Sequence, residues 1–163
     1  MKYPIGIQSF DQIIEDGYVY VDKTDLVYKL VKEGKIYFLS RPRRFGKSLL
    51  ISTLKSYFQG KKDLFKGLAI DKLETEWAEY PVFHISFGAS NFTKHGTLDE
   101  LLCKYMSDFE KEYQIDTGLQ DYGLRFRNIL KEARKKTGRR AVVLVDEYDK
   151  PMLQALDDET LLT

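Results

Sequence analysis

The sequence predicts an α/β protein, three layers deep, with a mainly parallel sheet between helical layers. Two segments carry that prediction. Ile36-Tyr37-Phe38-Leu39-Ser40-Arg41-Pro42-Arg43-Arg44-Phe45-Gly46-Lys47-Ser48-Leu49-Leu50 reads as a buried strand, a tight loop and a helix in succession. Ala141-Val142-Val143-Leu144-Val145-Asp146-Glu147-Tyr148-Asp149 reads as a short apolar strand covered on both faces, with carboxylates where it ends. Helical periods alternate with strand-like runs between and around them, which predicts right-handed parallel crossovers.

The elements follow from local signals. Ser9-Phe10-Asp11-Gln12 has capping-box spacing ahead of Ile13 and Ile14, with Gly17 as a stop. Tyr18–Val21 reads as a brief strand or extended segment. Asp22-Lys23-Thr24-Asp25 offers caps for a helix whose Leu26, Val27, Leu30 and Val31 share a face, ended by Gly34. Ile36–Leu39 is the strand feeding the loop. Leu49, Leu50, Thr53, Leu54, Tyr57 and Phe58 then recur at the helical period up to Gly60. A less regular stretch follows, in which Leu64, Phe65, Leu68, Ile70 and Trp77 are expected to pack together. Pro81–Phe87 reads as a strand that opens on a proline, where one is tolerated.

Thr97-Leu98-Asp99-Glu100 looks like a second capping box, opening a helix that carries Leu101, Leu102, Tyr105, Met106, Phe109 and Tyr113. Its aromatic stripe at helical spacing suits core packing better than base stacking. A further helix spans about Tyr122 to Thr137, with Phe126, Ile129, Leu130 and Ala133 inward and Gly138 as its stop. The first 34 residues read as a helical and extended lead-in, and residues 35–163 as one core.

The chemistry is concentrated in the same two segments. A glycine-containing loop that opens a helix aims backbone N–H groups and the helix dipole at one spot, which suits a phosphate. Gly46-Lys47-Ser48 is the tail of a P-loop, so the expected fold is that of a P-loop NTPase. Lys47 would reach the outer phosphates, the Ser48 hydroxyl would bind magnesium, and Gly46 would allow close backbone approach. Arg43, Arg44, Phe45 and Leu49 complete the expected nucleotide-contacting set. The pattern departs from G-x-x-x-x-G-K-[ST] at Arg41, so Arg41-Pro42 must make the first corner. Asp146 would hold the magnesium ion, directly or through water, and Glu147 would polarise the attacking water as general base.

Composition narrows the field. A chain of 163 residues, 43% hydrophobic, can bury one sizeable core. No apolar run approaches the ~20 residues needed to span a bilayer, and no signal peptide opens the chain, so a cytoplasmic protein without membrane contact is expected. A net charge of +1 gives no whole-chain argument for nucleic acid. Lys131, Arg134, Lys135, Lys136, Arg139 and Arg140 crowd one helix end, where cations complement the dipole. Arg41, Arg43 and Arg44 suit either a polyphosphate or an anionic partner. The single Cys103 reads as a small buried hydrophobe, and His84 and His95 as structural or exposed.

Met1–Phe10, Tyr20-Val21-Asp22-Lys23-Thr24, Phe38–Ser48 with its Arg-Pro-Arg-Arg-Phe-Gly-Lys-Ser run, and Val145-Asp146-Glu147-Tyr148-Asp149-Lys150-Pro151 together resemble the bacterial AAA-ATPase-like family. That likeness covers essentially the whole chain, and the family also lacks the first P-loop glycine. The resemblance implies ATP bound by Gly46, Lys47 and Ser48, magnesium on Asp146 and catalysis by Glu147. Members usually continue into a sensor strand, a lid and a nuclease-like domain of the PD-(D/E)xK type. The chain therefore resembles an N-terminal part with an incomplete sheet; nucleic acid is an expected partner through the missing nuclease-like domain, and an oligomer is a separate expectation. ATP in place of GTP rests on the likeness, since no Asn-Lys-x-Asp motif is present. Three readings stand: a magnesium-dependent ATPase module, a nucleotide-gated module for a protein or DNA partner with little hydrolysis, and an incomplete structural fragment.

Overall fold

In unit one of the chain, Met1–Tyr80, three helices and two 3-10 turns enclose an aromatic core; the second unit is Pro81–Thr163. The computed structural model describes residues 1–40, 42 and 45–156. The first unit holds α1 (Phe10–Glu15), α2 (Thr24–Glu33) and α3 (Lys47–Phe58), followed by 3-10 turns at Lys62–Phe65 and Ala69–Lys72. Ser9 caps α1 by accepting from the Gln12 N–H, as its spacing predicts. Phe10, Ile13, Phe65 and Ile70 are almost wholly buried. The Phe65 ring lies 4.7 Å from Phe10 and 5.2 Å from Trp77, so the irregular stretch packs as expected.

Polar groups knit this unit where helices alone would leave donors open. Asp22 accepts from the Thr24 N–H and hydroxyl and, through its other oxygen, from the Ala69 N–H at 2.7 Å. Buried Thr24 in turn accepts from the Ile70 N–H at 3.0 Å. One aspartate thus starts α2 and fastens the second 3-10 turn to it.

Glu74 is buried and satisfied by four donors: the Tyr57 hydroxyl at 2.5 Å, the Lys32 ammonium at 3.0 Å, and the Thr75 and Glu76 N–H groups. Burial pushes its carboxyl up, but the bonds from Tyr57, the backbone and Lys32 outweigh this and hold it down at about 2. Because the folded value lies below the ordinary 4.5, this contribution is complete above that pH and is lost as pH falls toward about 2. Tyr57→Phe should cost about 1–3 kcal/mol in denaturant unfolding at neutral pH. The gap between variant and wild type should shrink on acidification; a gap that widens would contradict it.

One expectation for this unit is corrected. Ile36–Leu39 forms no strand, and Ile36 and Phe38 are 94% and 72% exposed. The unit contains no strand at all among the described residues, so the apolar run has no ladder to join. Tyr18–Val21, read as a brief strand or an extended segment, forms no strand; its Tyr18 N–H donates to the Ile13 carbonyl at 2.9 Å and its Val19 N–H to the Lys2 carbonyl at 2.8 Å.

The second unit runs β1 (Val82–Ser86), α4 (Thr97–Tyr113), α5 (Tyr122–Thr137), β2 (Val142–Asp146) and α6 (Lys150–Leu156). The two strands pair in parallel, Val82 with Val142 through Ser86 with Asp146. A parallel pair joined by helices is the α/β arrangement the sequence predicts. Phe83 and Ile85 share one face of β1 and pack with Met106 and Phe109 of α4 and Ile129 and Ala133 of α5. The α4 aromatics belong to that core, with the Phe83 ring 5.0 Å from both Phe109 and Tyr113. Asp121 caps α5 through the Leu124 N–H, and Gly138 ends it with a positive φ of 68°.

Side chains also close the outer side of β1. Pro81 and Phe87 make their bonds toward β2, so the N–H groups of Val82 and Ser86 point the other way. The Tyr113 hydroxyl accepts from Val82, and the Tyr105 hydroxyl accepts from the Ser86 N–H and donates to its carbonyl. Arg125 joins α5 to α4 by a forked pair of bonds to Glu110, at 2.7 and 2.5 Å, and holds that carboxyl below its usual range. Arg134, Lys135 and Lys136 stand in the last turn of α5, and Lys136 also donates to the Tyr113 and Gln114 carbonyls at the end of α4.

Three details differ from expectation. Only one face of β2 is covered: Leu144 and Asp146 are buried, while Val143 and Val145 are each 41% exposed. Those valines share the face of Phe83 and Ile85, but the cover given by α4 and α5 centres on β1. Helix α4 begins one residue early, with Gly96 as its N-cap, so Thr97 falls inside the helix and the capping box is out of register. Cys103 is exposed, because α4 has no buried residue before Met106. No helix among the described residues is long and apolar enough to cross a membrane.

Candidate functional site

Helix α3 starts in a way that its own sequence does not satisfy. Its N-cap, Gly46, has φ 73° and offers no side-chain oxygen, and its first turn contains no acid. Its first residue is Lys47, a cation at the positive end of the dipole. Helices α1 and α5 have side-chain caps in Ser9 and Asp121, and α2 and α4, which like α3 lack one, carry acids in the first turn: Asp25 in α2, Asp99 and Glu100 in α4. Among the described residues no side chain caps the N–H groups at the start of α3, and an anion suits them on both counts. A left-handed φ favours glycine at position 46, and among the described residues nothing lies within 4 Å of where a Cβ would stand. Lys47, Ser48 and Leu49 are half-buried, and Phe45 is 63% exposed. Arg43 and Arg44, and Arg41 at the first corner, lie outside the described residues.

The carboxylates gather in the other unit. Asp146 is the last residue of β2 and is buried, and its Oδ1 accepts from the Glu147 N–H at 3.0 Å. Glu147 adopts φ 52°, a left-handed conformation that costs a non-glycine residue about 1–2 kcal/mol. The chain thus turns at the strand end, and the Glu147 carboxylate lies against the loop that leaves β1. That carboxylate lies beside Gly88. The Lys150 ammonium, from the start of α6, donates to the Gly88 carbonyl, and the Gly88 N–H donates to Ser86 Oγ at 3.3 Å. Helix α6 holds the same loop again through Gln154, which accepts from the Phe92 N–H and donates to Asn91.

A family model described as "Predicted AAA-ATPase" matches residues 4–163. The chain belongs to the AAA-ATPase-like family. Membership makes it an ATPase-like module and supports a nucleotide as ligand. A protein of Azotobacter chroococcum mcd 1, "Uncharacterized protein in vnfD 5'region", is 42% identical over 157 residues. That match covers 95% of this chain and 30% of the relative, so the chain spans under a third of that protein's length. No solved structure matches the chain.

The first unit thus brings together Gly46, Lys47, Ser48 and Leu49 at one helix end, and the second brings together Asp146 and Glu147 at one strand end. Sequence reasoning missed Gly88 and Lys150. Gly88 follows directly on the strand-like Val82–Phe87 run, at the carboxyl end of a parallel strand, and that position was the available signal.

Proposed function

We propose that this AAA-ATPase-like chain binds ATP with magnesium, and that the complete protein hydrolyses it. What supports this most is the start of α3, an uncapped helix N-terminus with a lysine in its first turn and no acid. The donor types suit the group: backbone N–H groups and a lysine for phosphate, a hydroxyl and a carboxylate for magnesium. Gly46, Lys47, Ser48 and Leu49, with Arg43, Arg44 and Phe45 from the loop, would hold the phosphates, and Ser48 and Asp146 would hold the metal. When bound, magnesium supplies charge that neutralises the phosphate oxygens.

The chain's own groups do the remaining work. Lys47 balances charge on the outer phosphates. Glu147, held by its turn at the end of β2, accepts a proton from the attacking water. Asp146 fixes that turn by accepting from the Glu147 N–H.

A melt with and without magnesium and ATP tests the binding half. Ligand at a hundredfold excess over its dissociation constant adds about 2.7 kcal/mol to the folded state, which should raise the midpoint by roughly 5–10 °C. No shift at millimolar ATP would favour the incomplete-fragment reading instead.

A further inference from the structure

We infer that Gly88 is a positioning residue for Glu147: the loop leaving β1 omits a side chain there, and the Glu147 carboxylate occupies the space. This rests on the reading of Glu147 as general base. A Cβ at Gly88 would stand 3.0 Å from Glu147 Cδ and Oε2 and 3.1 Å from Oε1. Those distances are closer than ordinary van der Waals contact.

Conformation does not explain the glycine. Eight glycines of the chain have positive φ, and Gly88 is not among them, so no left-handed backbone demands a glycine there. Space explains it. The Gly88 peptide is held on both sides, its N–H by Ser86 Oγ and its carbonyl by the Lys150 ammonium, so it cannot readily swing away from an added methyl. Glu147 cannot easily retreat by its backbone either, since its N–H is bonded to Asp146 and its carbonyl accepts from the Lys150 N–H at 3.1 Å. What yields on adding a methyl is the carboxylate. A side chain that must place one oxygen against a water loses rate when displaced by about an ångström, without losing substrate affinity.

The test uses the full chain with glutamate labelled at its side-chain carboxyl carbon, and the Glu147 resonance identified by its loss in Glu147→Gln. In Gly88→Ala that resonance should move. Lys150→Met, which frees the Gly88 carbonyl without adding an atom at the seat, should move it as well. Where ATP is turned over, Gly88→Ala should lower kcat by about tenfold or more with little change in KM. It should cause no further loss when combined with Glu147→Gln. An unmoved resonance, or a KM that rises as far as kcat falls, overturns the inference. A resonance that moves in a chain that neither binds nor turns over ATP overturns the ATPase reading and leaves the seat standing. Turnover abolished by Glu147→Gln alongside an unmoved resonance does the reverse.

Discussion

Lys47→Ala should abolish the thermal shift produced by magnesium and ATP while leaving the unliganded protein as stable as wild type or slightly more so. The two effects have opposite signs for one reason. Lys47 occupies the first residue of α3, where no acid offsets it and the dipole opposes it. Removing such a charge relieves about 0.3–1 kcal/mol of repulsion in the free protein. With the phosphates bound, the same ammonium is a main source of attraction, and its loss should weaken binding by about 100-fold or more, near 3 kcal/mol. Titration of nucleotide by calorimetry, beside a ligand-free melt, measures both. A variant that bound ATP as tightly as wild type would end the phosphate assignment for this helix. One that merely unfolded early would show that Lys47 serves packing.

Glu147→Gln should behave differently, keeping nucleotide affinity and slowing phosphate release by about 10²–10³-fold. Glutamine preserves the length and the seat beside Gly88 but cannot take a proton from water. Its backbone must still adopt φ 52°, which costs it about as much as glutamate, so stability should change little. Single-turnover phosphate release in wild type and variant separates the steps. If wild type binds nucleotide and releases no phosphate, the protein is a nucleotide-gated binding module and Glu147 acts as a switch or anchor. Equal rates in the two proteins would remove Glu147 from the chemistry.

Much of this was legible in the sequence where a local signal and a tertiary need coincide. The Tyr122–Thr137 helix was read to the residue because apolar periodicity and Gly138 agree on it. The strand ending at Asp146 was legible because an apolar run followed by carboxylates suits few other places. Ile36–Leu39 was misread because apolar content alone does not make a strand, which also needs a neighbour to bond. Cys103 was misread because helical spacing says which residues share a face but not how far along the helix that face is covered. Gly88 was illegible for another reason: its partner is 59 residues away in the chain, and only the parallel pairing of β1 with β2 brings the two together.

The hydroxyls of Tyr105 and Tyr113 give the small sheet a direction of growth. With the far margin of β1 held by phenols at Val82 and Ser86, the open peptide groups among the described residues lie on the flank of β2, where the Val143 and Val145 peptides face away from β1. A segment that docks there lies alongside the residues leading to Asp146 and Glu147.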